Sequence, residues 1–457
     1  MLMRHRRLPL FLAALLISAA EPLGIIAVAQ RATQPPEQQT RETQETPLAE
    51  SDARRLTDVV LTTIGKRFFD TEKLAQVNFN TLAAEAADDV AASKTPSEAA
   101  ARLNALLAKL QTSHTQVFAP DEPEYYFVAD VFSASSPDTW AAPNLMPGTG
   151  FFTAKFDGRD HVTGVLQGSP AHAAGIIVGD EIIAVDGALY HPIRSFRHRV
   201  GSNVAISIRR LHDAPAQALT MRVLAMQPSA AFNAATQASA RIIGRNGKRI
   251  GYVQVWHMRG EKNDLERALS SIDGSRQGFR RSDGTYSHTV RSDGSRASLL
   301  PLDALIIDNR GKIGGSAGVA EGFLETIAGP RGGYFEATNR EQGNRARPPS
   351  PRSFKGRSVM LIDHNTRSAG EVFAQGFKNE NLGPVFGTRT AGAVTAGGIE
   401  KLPGGLLLYL AVARVTIDGK NLEGTGVSPD REITRPIPYS AGADPVLDAA
   451  IEHLARD

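Results

Sequence analysis

From residue 51 onward, apolar side chains recur every three or four positions: Leu56, Val59, Val60 and Ile64, then Leu103, Leu106, Leu107 and Leu110. That period lines up one face of an α-helix, so a helical domain is predicted over 51–135, with its last amphipathic helix ending near Gln111. Between Pro147 and Met226 the texture changes to short β-type runs broken by glycines, and Val204, Ile206 and Ile208 alternate as in a half-buried strand. Past a linker expected around Ala230 to Ala240, buried-type strands over 250–255, 305–308 and 359–363 alternate with helices over 319–327 and 369–378. Strand then helix, repeated, marks an α/β domain, assigned here to 235–457. Within it, RSDG occurs twice, at 281–284 and 291–294, and reads as an inserted hairpin or loop.

Ahead of the helices the pattern fails. Residues 30–50 are Gln, Thr, Pro and Glu with few large apolar groups, too little to offset the entropy of ordering, so they read as a flexible linker. Residues 1–29 carry Arg4, His5, Arg6 and Arg7, then an apolar run, then Ala27, Val28 and Ala29, the layout of a signal peptide cut after Ala29. Glu21 and Pro22 interrupt the run before it reaches the roughly 20 residues of a membrane span. An uncleaved anchor, with peripheral membrane proximity, is the competing reading. Either places the rest of the chain outside the inner compartment, periplasmic or extracellular.

Composition narrows the chemistry. With 457 residues, 42% hydrophobic and 22% charged, the chain suits a soluble protein of several domains. A net charge of +3 with no block of Lys and Arg argues against nucleic acid as a partner. The absence of cysteine removes disulfides, thiol nucleophiles and thiolate metal sites. No His/Asp/Glu group has the spacing of a metal site, so neither metal nor other cofactor is expected.

One serine is placed as a nucleophile should be. In IDHNTRSAGEVFAQGFK, residues 362–378, a buried strand passes through a polar turn into a helix, with Ser368 at the turn. Free N–H groups and the positive end of the helix dipole there favour negative charge on the serine oxygen and on a neighbouring oxyanion. A plain N-cap serine is the competing reading. Residues 308–315, DNRGKIGG, follow another buried strand, and their glycines let backbone approach a substrate closely.

Residues 164–187, GVLQGSPAHAAGIIVGDEIIAVDG, resemble a PDZ domain: Gly168, Ser169 and Pro170 open a short helix that Gly175 ends, and a strand stops at Asp186 and Gly187. The resemblance implies a β-rich PDZ domain over 145–230 whose loop Gly148, Thr149, Gly150 and Phe151 offers N–H groups to a peptide's terminal carboxylate, with β-augmentation beside it. A lid or spacer that binds nothing tightly is the alternative. The PDZ block, DNRGKIGG, RSAGE, and GTRTAG followed by EGTGVSPD stand in the order of the carboxyl-terminal processing and tricorn-like proteases, over about 100–435. That resemblance implies a crotonase/ClpP-like α/β catalytic domain, an inserted PDZ domain and an N-terminal helical domain.

Relatives of the Ser/Lys type carry their lysine base where this chain has Ala393, and a methyl group accepts no proton. The tricorn-like branch uses histidine, and LQTSHTQVF supplies Ser113 and His114. The resemblance implies His114 as general base toward Ser368, with Ser113 assisting and Glu423 orienting one of them. Backbone N–H groups of Ala369 and of Gly314 or Gly315 would form the oxyanion hole. His257 and His364 remain rival bases, Lys312 and Lys401 would need unusual geometry, and Glu371 is explained by the helix dipole as well as by catalysis. The expected function is an exported serine endopeptidase acting on protein or peptide substrates through an acyl-enzyme, with the PDZ domain presenting their C-terminal tails. A catalytically silent binding protein of the same fold is the alternative. An acyl-CoA enzyme is weaker, because neither a PDZ domain nor export suits that substrate.

Overall fold

The computed structural model describes residues 45–133, 145–274, 279–280, 286–287, 300–311, 314–329, 335–338 and 354–456. The expected signal peptide, most of the linker after it, both RSDG segments and Lys312 lie outside the described residues. Phe279–Arg280 and Tyr286–Ser287 pair antiparallel on either side of the first RSDG. Among the described residues no helix is long and apolar enough to cross a membrane.

The helices α1 (Glu50–Arg67) and α4 (Pro96–Leu107) form where the apolar period placed them, with α2 (Thr71–Gln76) and α3 (Phe79–Ala91) between them. Thr95 caps α4 by accepting from the Glu98 N–H at 3.2 Å, and Pro96 fills its first turn, where a missing N–H is harmless. Their apolar faces do not close on themselves. Leu56, Val60, Ile64, Leu103 and Leu107 share a core with Leu402, Leu406, Leu408 and Leu410, which come from near the other end of the chain.

What joins the two is β1 (Gln116–Phe118), which pairs antiparallel with β19 (Leu407–Ile417), Gln116 opposite Tyr409. On its other edge β19 carries β15 (Phe335–Thr338) and β18 (Ala396–Lys401). The segment just before β1 is therefore anchored in a sheet made mostly of residues nearly three hundred positions away.

After β1 comes α5 (Pro123–Phe132), then a strand pair of β2 (Met146–Gly148) and β9 (Leu224–Met226) that closes the base of the PDZ domain. Between them run β3 (Phe151–Phe156), β4 (Arg159–Val165), β5 (Glu181–Val185), β7 (Asn203–Arg209) and β8 (Gln217–Arg222), all antiparallel, with short β6 (Ala188–Leu189) beside β5. Strand β3 is an edge. Ser169 caps the short helix Pro170–Ala173, accepting from the His172 N–H at 3.2 Å. Gly150 sits at φ +96°, and a Cβ there would lie 2.3 Å from that of Ser169, so the turn into β3 requires glycine.

The PDZ domain is held from two sides. The Tyr439 N–H donates to the Gly179 carbonyl at 2.9 Å and its hydroxyl to Glu181 at 2.8 Å. Opposite, Arg194 donates to buried Asp121 at 2.9 Å and Arg197 bonds the same carboxylate. The stretch expected as a linker, Ala230 to Ala240, is instead most of a helix, α7 (Pro228–Ser239). Its small, alanine-rich residues suggested a loop, but Phe232 and Ala235 are buried against Phe152 and Trp256. Packing, not strong amphipathicity, holds it.

The C-terminal α/β domain has a sheet in the order β10 (Arg241–Arg245), β11 (Lys248–Gln254), β14 (Ala304–Asp308), β16 (Arg357–Ile362), β17 (Val385–Gly387), β20 (Arg431–Glu432), parallel from β11 onward. Such strands are covered on both faces, which explains their unbroken apolar runs. Helices α8 (Asp264–Ser270), α9 (Ala317–Ala328) and α10 (Ala369–Asn379) cover one face and α11 (Pro445–Ala455) the other. The architecture is α/β with an inserted β-rich PDZ domain and N-terminal helices. Polar loops at the C-terminal ends of β14 and β16 converge, as ligand sites do in open α/β sheets.

Candidate active site

Ser368 stands between β16 and α10 with φ 54° and ψ −123°, a conformation strained for any side chain but glycine. Such a turn aims the hydroxyl away from the strand and leaves the first N–H groups of the helix beside it. The turn is fixed mainly by Glu371, which is fully buried. Its carboxylate accepts from the Thr390 hydroxyl at 2.6 Å and from the N–H groups of Gly392, Ala393 and Ser368 at 2.7, 2.8 and 3.2 Å. Burial pushes its pKa up and these donors pull it down. The helix dipole therefore does not account for Glu371; it is the residue that locks the serine turn. Ser and Glu three apart at a helix start form a capping-box spacing, the local signal that could have found it.

Ala393, the residue expected to replace a lysine base, lies beside the serine turn: its carbonyl accepts the Ser368 N–H at 2.8 Å. The glycine segment closes the other side. A Cβ on Gly314 would lie 3.8 Å from that of Ser368, and Gly315, at φ +128°, packs so tightly that a Cβ would be 2.4 Å from the Met258 carbonyl. The Gly314 carbonyl is taken by the Met258 N–H at 2.8 Å. Among the described residues, the N–H groups of Ala369 and Gly315 donate to no one, as an oxyanion site needs.

Ser113 and His114, carried on the turn before β1, line the same cleft as Ser368. His114 is itself at φ 56°, a second strained residue at the site. The Ser113 hydroxyl lies 2.8 Å from His114 Nδ1, 2.9 Å from Glu423 Oε2 and 3.0 Å from Thr395 Oγ1. Glu423 also accepts the N–H groups of Ser113 at 2.7 Å and Val394 at 2.9 Å, so it does not touch the histidine but acts through Ser113. A carboxylate can only accept, so the single Ser113 proton goes to Glu423 and the serine oxygen accepts from His114 Nδ1–H. Nε2 is then the imidazole's free lone pair. Burial, reinforced by the cation of Arg367, depresses the His114 pKa to about 3, although the residue keeps part of its surface open to the cleft. The ring also packs on Tyr409, with centroids 4.9 Å apart. No hydrogen bond joins His114 to Ser368 in this structure.

The rivals are placed differently. His257 is buried, its Nε2 already accepts the Arg259 N–H at 3.1 Å, and burial lowers its pKa to about 4. His364 is exposed on the cleft rim with no hydrogen bond among the described residues. Lys401 lies on β18, off the cleft lining.

Behind the site, Arg310 of DNRGKIGG is buried and donates to Asp308 at 2.8 and 2.6 Å and to both Asp444 oxygens at 2.8 Å. The Asn309 amide holds the Gly370 carbonyl at 2.9 Å and its own carbonyl takes the Thr366 hydroxyl at 2.6 Å. Those motif residues tie the glycine segment to the serine turn.

The cleft has a volume of about 1210 Å³, above the roughly 300–1,000 Å³ of small-molecule pockets. Phe127, Val131 and Phe132 of α5, Phe232 of α7, Trp256 and Tyr409 give it an apolar wall, and Phe152, Thr153, Ala154 and Phe156 of PDZ edge strand β3 extend it. The loop expected to take a peptide carboxylate is built partly of strand, since Gly148 belongs to β2 and Phe151 begins β3. The carbonyls of Thr149 and Gly150 are taken inside the domain by the N–H groups of Ala171 and Leu166, at 2.9 and 2.8 Å. Among the described residues no group of three His, Cys, Asp or Glu is arranged to hold a metal ion.

Residues 295–433 match the model of peptidase family S41 and residues 153–205 that of the PDZ domain. The chain thus carries a segment similar to family S41 peptidases and, ahead of it, one similar to PDZ domains. Its relatives include the tricorn protease homolog 2 of Streptomyces coelicolor, 35% identical over 154 residues, 32% of this chain and 12% of that protein. The carboxyl-terminal-processing protease of Picosynechococcus sp. is 24% identical over 312 residues, 64% of this chain and 66% of that one. The chain thus spans from about an eighth to just under two thirds of the length of these relatives. Among solved structures, the photosystem II D1 C-terminal processing protease aligns with TM-score 0.48 and 17% identity, covering 89% of this chain and 98% of its own.

Proposed function

We propose that this protein is an exported serine endopeptidase with Ser368 as nucleophile and His114 as general base. The observation that carries the reading is the chain of contacts Glu423, Ser113, His114, which fixes the imidazole with Nε2 free in the cleft that Ser368 lines. Ala393 leaves no lysine to take that part. His114 Nε2 takes the Ser368 proton as the oxygen attacks the peptide carbonyl, and the N–H groups of Ala369 and Gly315 or Gly314 hold the oxyanion. Collapse breaks the C–N bond and returns the proton to the leaving amine. Water, activated by the same imidazole, then frees the acyl group. The contact between His114 and Ser368 closes when substrate fills the cleft. Protein tails reach the site along the open edge of β3, presented by the PDZ domain with its loop at Gly148, Thr149, Gly150 and Phe151.

The test is the Ser368→Ala protein. It is expected to fold normally and to lose hydrolysis of a denatured protein. A serine-directed phosphonate should label Ser368 in the wild type. Hydrolysis that persists in pure Ser368→Ala protein refutes the nucleophile, and a wild type that neither cleaves nor labels supports the silent binding protein.

A further inference from the structure

The charged side chains lining the cleft are nearly all committed. Asp130 accepts the Ser229 N–H at 2.7 Å and the Gln227 amide at 3.0 Å, and Asp363 accepts the N–H groups of Gly311 at 3.2 Å and Thr366 at 3.0 Å. Arg310 is paired with Asp308 and Asp444, and Arg435 lies 3.5 Å from Asp444. Arg367 differs. It immediately precedes Ser368, is exposed onto the cleft, and has no hydrogen bond or ion pair among the described residues.

Its position is costly for the chemistry beside it. A permanent cation disfavours protonation of His114, and here it acts in that direction together with burial. Arginine stays protonated, so it cannot replace the lysine that Ala393 lacks as a base. A neutral residue would spare the general base, yet a cation stands there. A group that weakens its neighbour and has no partner among the described residues is accounted for if the partner arrives with the substrate.

Building on the peptidase reading of Ser368, we propose that Arg367 binds a carboxylate of the substrate flanking the scissile bond, so that the cleft selects peptides with Asp, Glu or a free terminal carboxylate at that place. The guanidinium offers a bidentate, charge-assisted contact that a neutral or basic residue cannot complete. Binding also offsets the Arg367 charge, the lesser cause beside burial of the depressed His114 pKa, so acidic substrates gain somewhat in kcat as well as in KM.

The experiment compares the wild-type protein with Arg367→Glu and Arg367→Gln on a mixed peptide library, with free-acid and amidated C-termini, reading cleaved bonds by mass spectrometry. Asp and Glu should be enriched over Lys and Arg beside cleaved bonds by roughly tenfold, the lower end for a hydrogen bond to a charged group. Arg367→Gln should abolish the preference and Arg367→Glu reverse it. A preference confined to free-acid peptides identifies the terminal carboxylate as the partner, and one that survives amidation identifies the side chain. An unchanged preference in Arg367→Glu, or none in the wild type, overturns the proposal. If the wild type cleaves nothing, the peptidase reading fails, and binding decides Arg367 separately: fluorescent acidic peptides should bind Ser368→Ala protein roughly tenfold tighter than basic ones and lose that margin when Arg367→Glu is added.

Discussion

Replacing Ser113 by alanine tests the least ordinary part of the site, a serine standing between the acid and the histidine. The side chain makes three contacts, at 2.8 Å to His114, 2.9 Å to Glu423 and 3.0 Å to Thr395. Glu423 would remain in place, because the backbone N–H groups of Ser113, Val394 and Thr395 still hold it at 2.7, 2.9 and 3.2 Å. The loss in stability should therefore be about 1–3 kcal/mol, mainly the hydrogen bond to the charged Glu423, since water entering from the cleft can replace the contacts to His114 and Thr395. The loss in catalysis should be larger. With Nδ1 unanchored, the imidazole is free to take the wrong tautomer and rotamer, which should lower kcat by about a hundredfold, about 2.7 kcal/mol of barrier. Steady-state hydrolysis of a denatured protein, beside thermal unfolding of the same samples, separates the two effects. Glu423→Gln should fall by a similar factor, and the double variant should be no worse than the poorer single, since the residues act as one unit. A Ser113→Ala protein that keeps a third of wild-type kcat, or losses that multiply in the double variant, refutes the relay.

Two further outcomes follow from the same geometry. Adding Ala393→Lys to His114→Ala protein places an amine beside the Ser368 turn, where the Ala393 carbonyl accepts the Ser368 N–H at 2.8 Å, and should restore measurable hydrolysis at alkaline pH; no recovery at any pH means the two branches are not interchangeable on this scaffold. Folding should weaken as pH falls from about 6.5 toward 4. Burial holds His114 near 3 and His191 and His257 near 4, so each takes up a proton only on unfolding in that window, while Glu122, raised to about 7, opposes them with a single proton. A urea midpoint that rises on acidification across that range contradicts those burials.

Local periodicity carries much of this fold. The helices over 50–107, the glycine-punctuated PDZ strands and the buried strands β11, β14 and β16 announce themselves because neighbouring residues decide them. Ser368 is legible for the same reason, lying at a strand-to-helix turn whose chemistry is local.

What the sequence by itself left open depends on partners far along the chain. Only the pairing of β1 with β19 carries His114 into the cleft, and only that places Glu423, 310 residues away, on the Ser113 hydroxyl rather than on the imidazole. Glu371 passed for a dipole partner until the fold wrapped Thr390, Gly392 and Ala393 around it. The segment over 230–240 looked like a linker because alanine has no strong pattern, and it became a helix when Phe152 and Trp256 gave Phe232 something to bury against. The unpaired charge of Arg367 was likewise invisible. Any sequence shows an arginine, but only the tertiary structure shows which carboxylates in the cleft are already taken.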